Sequence, residues 1–262
     1  MINSDQSAKK DSSAWLLSCS KQTPEPKLRL ICFPFAGGNA NTYRSWSKQL
    51  PDDIELLAIQ LPGRGARFNE DCISDLPELI EQLIPVIKSL TQIPYVFFGH
   101  SMGAIIAYEL CDALHKHNEK LPDLLMLSAC SAPHCKQQTK ALHSLPSLEF
   151  WEEVQTINGT PREILDNHEL LALLEPSLRA DFKIVYDWRQ SHFQTQPSTL
   201  PVPMEILGGK EDGSVSLKQL EGWKSYSEHK AHVHLFDGDH FFINQATGTF
   251  FSTLSNLLAS IG

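Results

Sequence analysis

Six short apolar runs punctuate the chain: LRLICF from Leu28, IELLAI from Ile54, YVFF from Tyr95, DLLMLSA from Asp123, MEIL from Met204 and HVHLF from His232. Most lack the alternation of a strand with one wet face, so they predict strands covered on both sides. Between them apolar residues recur at helical spacing over Ala40 to Leu50, Leu76 to Leu90, Met102 to His115, Leu217 to Tyr226 and Ile243 to Ala259. Strand and helix alternate, which predicts an α/β protein with a mostly parallel central sheet and helices on both faces. From about Pro133 to Gln196 that rhythm breaks, leaving only the helical patterns SLEFWEEV, PREIL and HELLALLEPSLRADFKIVYDW. These are rich in Leu, Phe and Trp that need burial, so the stretch is expected to be a helical insertion capping a site rather than a linker. The expected organisation is a flexible tail over 1–13, a core made of 14–132 and 197–262, and an inserted helical lid over 133–196.

Composition changes this picture little. With 262 residues, 42% hydrophobic and 20% charged, the chain can bury one large core. Its net charge of -9 argues against a nucleic-acid or anionic-membrane partner. Six scattered cysteines, several within apolar runs, read as packed thiols in a reducing compartment. No stretch approaches the roughly 18 apolar residues of a membrane span, and the first twenty residues lack a signal peptide's apolar core. A cytoplasmic monomer is expected.

The candidate chemistry begins at GHSMG, which places Ser101 between Gly99 and Gly103 where a strand pattern gives way to a helix. In that setting Gly-x-Ser-x-Gly is a nucleophile corner: the glycines keep the tight turn free of side chains, and the serine is exposed at the strand's carboxyl end. The Met102 N–H, at the helix start, points to where negative charge would develop on an attacked carbonyl. A serine hydroxyl needs a base, and the base needs an orienting acid. In the chain order of this corner, the acid follows a late strand and the histidine comes last. Asp212, in the loop after MEIL, and His240, after HVHLF, fill those places. Glu211 is the rival acid, and Asp237 and Asp239 are too close in the chain to His240 to bend back onto its ring. A second donor to the oxyanion is expected from the loop PFAGG after the first strand, at the Ala36 N–H. Of the other histidines, His115 and His117 suit a helix end. His232 with His234, and Cys130 with His134 and Cys135, lack the spacing of a zinc site, so no metal and no cofactor are expected.

With these pieces located, the chain resembles the type II thioesterases of nonribosomal peptide and polyketide synthase pathways, a branch of the α/β-hydrolases, from Trp15 onward. The resemblance rests on LICFPFAGG, LPGRGAR, FFGHSMGA, SAPH, PSLRADF, LGGKEDGSV and DGDHFF. It implies an α/β-hydrolase fold with a mobile helical lid, Ser101, Asp212 and His240 as the triad, and Ala36 and Met102 as oxyanion donors. It also implies the substrate: an acyl group held as a thioester on the phosphopantetheine arm of an acyl or peptidyl carrier domain. Gly65 and Ala66 stand where relatives often have acidic residues. Arg64, Arg67, Lys136, Lys140, Arg179 and Lys183 are the candidate cations for docking the carrier. The alternatives are a stand-alone fatty acyl thioesterase, a carboxylester hydrolase, and a non-catalytic carrier-binding module.

Overall fold

The computed structural model describes residues 14–20, 25–136, 140–157, 167–245 and 248–261. The expected tail over 1–13 and the PREIL pattern lie outside the described residues.

All six apolar runs form strands: β2 (Leu28–Phe33), β3 (Ile54–Ile59), β4 (Tyr95–His100), β5 (Leu124–Ser128), β6 (Met204–Gly209) and β7 (His232–Phe236). A seventh, β1 (Leu16–Ser18), precedes them. At three residues it is too short for periodicity to reveal, and it exists by pairing antiparallel on β3, with Leu16 opposite Ile59. The sheet order is β1-β3-β2-β4-β5-β6-β7, parallel everywhere except at β1. Every residue of β4 and β5 is buried. Edge strand β7 is buried only at Phe236 among its five residues.

The absence of alternation in the central strands has a direct cause. In β2, Ile31 and Phe33 belong to one apolar cluster, which also holds helices α1 (Leu76–Lys88) and α2 (Met102–Lys116). Their neighbours Leu30 and Cys32 belong to a second cluster on the other face, with α6 (Gly248–Ala259). Three helical expectations change form. Ala40–Lys48 is a 3-10 helix, and its buried residues Ala40, Tyr43 and Trp46 recur every three positions, the repeat of that helix. Leu217–Tyr226 divides into α5 (Leu217–Glu221) and a 3-10 turn over Gly222–Ser225. Ile243–Ala259 divides into a 3-10 turn over Phe242–Gln245 and α6.

Between β5 and β6 the chain forms a 3-10 turn (Leu142–Ser144), α3 (Ser147–Thr156) and α4 (His168–His192). They share a small apolar cluster of their own, built on Leu142, Phe150, Trp151, Val154 and Leu178. The two halves of α4 differ. Leu170 and Leu173 in the first half are 39% and 51% exposed, whereas Leu178, Asp181, Ile184, Trp188 and Arg189 in the second are buried. The second half is also tied to α2, where the Trp188 indole N–H donates to Glu109 at 2.6 Å. Among the described residues no helix is long and apolar enough to cross a membrane.

Candidate active site

Because six strands run parallel, their carboxyl ends share one edge of the sheet, and the loops that follow β2, β4, β6 and β7 meet there. At the end of β4 the chain turns so sharply that Ser101 takes φ 54 and ψ -114, a strained conformation for a residue with a Cβ. The glycines on either side allow it. A Cβ on Gly99 would stand 2.1 Å from the Gly103 carbonyl oxygen, and one on Gly103 would stand 2.1 Å from that of Phe33. The corner is tied to the next strand by Ser101 N–H donating to the Ser128 carbonyl at 2.8 Å.

Asp212 follows β6 with its side chain 1% exposed. Its Oδ1 accepts from the N–H groups of Ser214 and Val215 at 2.7 and 3.1 Å. That leaves Oδ2 for the His240 Nδ1–H at 2.8 Å. With Nδ1 donating, the free lone pair of Nε2 accepts from the Ser101 hydroxyl at 3.0 Å. Residues 101, 212 and 240 thus form one hydrogen-bonded line. The rival acid is used differently: Glu211 accepts from the Gly238 N–H at 2.6 Å and donates its own N–H to the Gly238 carbonyl at 3.0 Å. It clasps the loop that carries His240. A Cβ on Gly209 would collide with that loop, 2.3 Å from the Asp239 carbonyl oxygen. Asp239 is turned to its own backbone, accepting from the Phe241 N–H at 2.8 Å, and Asp237 pairs with Lys210.

Ala36 lies in the loop after β2, next to Phe35, whose ring packs on those of His100 and Phe241. The Ala36 N–H finds no acceptor among the described residues, and the Met102 N–H, first in α2, has no intrahelical partner. Beside the serine opens a cavity of about 390 Å³, bordered by Ser101, Met102 and His240 and walled by Ile105, Phe182 and Val185. The second half of α4 supplies part of that wall, through Phe182, Val185, Tyr186 and Arg189. The arrangement can deprotonate a hydroxyl, attack a carbonyl and hold the resulting anion beside an apolar chamber.

A thioesterase domain model matches residues 28–258. The chain belongs to the thioesterase domain family. It is 36% identical over 251 residues to a Brevibacillus parabrevis protein named linear gramicidin dehydrogenase LgrE, covering 95% of this chain and 94% of that one. It is 35% identical over 220 residues to the gramicidin S biosynthesis protein GrsT of Aneurinibacillus migulanus, covering 84% of each. Among solved structures it resembles YbtT, a type II thioesterase from the yersiniabactin NRPS/PKS pathway, with TM-score 0.83 and 28% identity over 95% of this chain and 99% of that one. The likeness places this thioesterase among proteins of the α/β-hydrolase fold. The family match, not the dehydrogenase name, agrees with the chemistry of the site. No Gly-x-Gly-x-x-Gly turn for a dinucleotide occurs in the sequence.

The thioesterase departs from expectation in its cations. Arg64 and Arg67 are 7% and 9% exposed. Arg64 pairs with Asp181, and Arg67 pairs with Glu70 while stacking 4.0 Å over the Trp15 ring. Neither offers charge to a carrier. Arg179 is engaged with Glu175, Lys140 with Glu153 and Lys183 with Asp187. The LPGRGAR loop carried no sequence signal of burial, because the partner of Arg64 lies 117 residues away. The histidine and cysteine groups also have ordinary partners. His232 and His234 both bond Glu205, and His134 stacks on Tyr226. Among the described residues no group of three such side chains could hold a metal.

Proposed function

We propose that this thioesterase removes acyl groups held as thioesters on the phosphopantetheine arm of carrier domains of a nonribosomal peptide or polyketide synthase, freeing carriers that are stalled or wrongly loaded. The hydrogen-bonded line Ser101–His240–Asp212, opening on an apolar chamber, carries this reading. The biosynthetic names of the relatives supply the carrier. The Ser101 Oγ attacks the thioester carbonyl carbon while His240 Nε2 takes its proton, and Asp212 holds the imidazole in the tautomer that can accept it. The N–H groups of Ala36 and Met102 donate to the tetrahedral oxyanion. As that intermediate collapses, the carbon–sulfur bond breaks and the His240 proton passes to the departing pantetheine sulfur. Water then gives a proton to His240 as it attacks the acyl-serine, and the second collapse releases the acid and returns the proton to Ser101. The chemistry asks for no metal and no cofactor. One chain supplies every group, in keeping with a monomer, and six unbridged cysteines suit a reducing cytoplasm. The helices of 133–196 serve as the cover that selects what enters.

The test is intact-protein mass spectrometry of carrier domains loaded with different acyl groups, before and after exposure to the enzyme. Loss of the acyl mass is expected with the wild type, and about 10⁴-fold slower loss or less with Ser101→Ala. Hydrolysis by Ser101→Ala at near wild-type rate would end the proposal. Faster turnover of free acyl-CoA or an aryl ester than of the loaded carrier would transfer the substrate to a fatty acyl thioesterase or a carboxylester hydrolase.

A further inference from the structure

The turn after β2 is held by side chains from distant parts of the chain. Gly38 N–H donates to the Phe35 carbonyl at 2.8 Å, closing a four-residue turn whose third residue, Gly37, has φ 78. A positive φ at that position marks a type II turn, which differs from type I by a flip of the central peptide. That peptide joins Ala36 to Gly37, and its N–H donates to Asp181 Oδ2 at 2.7 Å. Asp181 stands on the buried half of α4 with its side chain 1% exposed. Its Oδ2 also accepts from Arg64 Nη1 at 2.5 Å and its Oδ1 from Nη2 at 2.7 Å. Arg64 Nη1 lies 3.4 Å from the Gly38 carbonyl oxygen as well. Leu178, one turn earlier on α4, packs on the same glycine: a Cβ on Gly37 would meet its Cδ1 at 2.9 Å.

A buried ion pair is weak evidence for stability, since apolar replacement of both partners is often neutral or stabilising. Its location is more informative. The pair joins the 35–38 turn, the LPGRGAR loop and α4 at the peptide next to the one that bears the Ala36 N–H. The Phe35 carbonyl and the Ala36 N–H share one peptide plane, which the Gly38 bond holds. Asp181 holds the following plane. We infer that Asp181, with Arg64 balancing its charge, is a positioning residue for the acyl transfer: it locks the turn in the conformer that presents the Ala36 N–H, and makes the oxyanion site depend on the seating of α4. This rests on the assignment of Ala36 given above. Without the carboxylate the central peptide is free to flip, and the preceding plane, joined to it through the Ala36 α-carbon, loses its fixed direction. Donors that must reorganise during the reaction stabilise the anion less.

Removing one charge alone would strand the other in the interior, so the test uses paired substitutions. Arg64→Met with Asp181→Leu removes both charges and the acceptor for Gly37. Arg64→Met with Asp181→Asn removes both charges and keeps an acceptor oxygen. Hydrolysis of a butyryl-N-acetylcysteamine thioester is measured together with the affinity for phenylboronic acid, which forms a tetrahedral adduct on the serine. Loss of an oxyanion donor costs about 10²–10³ in kcat, so misplacing one is expected to cost about 10–100-fold. For the Leu pair we expect that fall in kcat, a KM within about threefold of wild type, and boronate binding weakened by about the same factor as kcat. The Asn pair should return to within about threefold of wild type. Should the Leu pair fail to fold, Asp181→Ala in the Arg64→Met background makes the same comparison. A Leu or Ala pair as active as wild type, or an Asn pair as impaired as they are, overturns the inference. A wild-type protein that neither hydrolyses the thioester nor takes a fluorophosphonate label on Ser101 would instead defeat the assignment of the site itself.

Discussion

Two backbone corners build the site, and they are held by opposite means. The corner at Ser101 bends at φ 54, and the turn at Gly37 at φ 78. At Ser101 the restraint is mainly main chain against main chain: α2 lies so close to β2 and β4 that Gly99 and Gly103 have no room for a Cβ. At Gly37 the restraint is side chains, Asp181 and Leu178 from α4 and Arg64 through Asp181, more than 100 residues away in the case of the α4 pair. The first corner is as rigid as the sheet. The second is as rigid as the seating of one helix, so the hydroxyl's position and the donor we propose for the anion can be uncoupled by substitution.

The largest effect should come from crowding the first corner. Gly103→Ala would put a methyl 2.1 Å from the Phe33 carbonyl oxygen and 2.9 Å from that of Pro34. Both are backbone atoms that no rotamer change can move. A loss of about 3 kcal/mol or more is expected in urea denaturation, up to failure to fold. Gly37→Ala should cost less, about 1–2 kcal/mol for a left-handed residue with a Cβ, because the obstructing atom at 2.9 Å is the end of the flexible Leu178 side chain. Its kcat should fall with KM little changed. Adding Leu178→Ala relieves the contact and leaves the φ strain, so the loss that persists measures the turn. Equal stability losses at Gly37 and Gly103 would erase the distinction between the corners.

The same contrast explains what could be read from the sequence. Ser101, Asp212 and His240 stood out because the corner, the strand ends and the chain order are local patterns or follow from them. The alternation of LRLICF and its companions with helical spacing gave the sheet for the same reason. The short strand Leu16–Ser18 lacked a pattern, since its formation depends on β3. Glu211 stood as the rival of Asp212 because the two are neighbours in one loop. They separate only when β6 and β7 lie side by side and one reaches the Gly238 N–H while the other reaches the imidazole. Arg64 was read as a surface cation because nothing within LPGRGAR reveals a carboxylate on α4. Long-range ion pairs leave no periodic trace in a sequence.

His100 touches both corners and gives the smallest predicted effect. It precedes Ser101, its Nδ1 lies 2.9 Å from the Ser128 Oγ, and its ring is edge-on to Phe35 at 5.9 Å. Complete burial, followed by repulsion from His240 5.5 Å away between ring centroids, holds its pKa well below the ordinary 6.5. It therefore stays neutral in the fold while its unfolded counterpart takes up a proton below about pH 6.5. The unfolded state binds more protons in that window, so stability rises with pH and is lost as pH falls from about 6.5 toward 5. The slope from this one group can reach about 1.4 kcal/mol per pH unit. His100→Asn, which keeps a polar atom for Ser128, should lower stability at pH 7 but flatten the acid limb of a urea-midpoint profile. An unchanged limb would mean that the ring is solvated and that the two corners are not packed through it. A flattened limb, with Gly37→Ala and His100→Asn non-additive in stability, would mean that the turn and the nucleophile corner share one buried contact through Phe35 despite their different restraints.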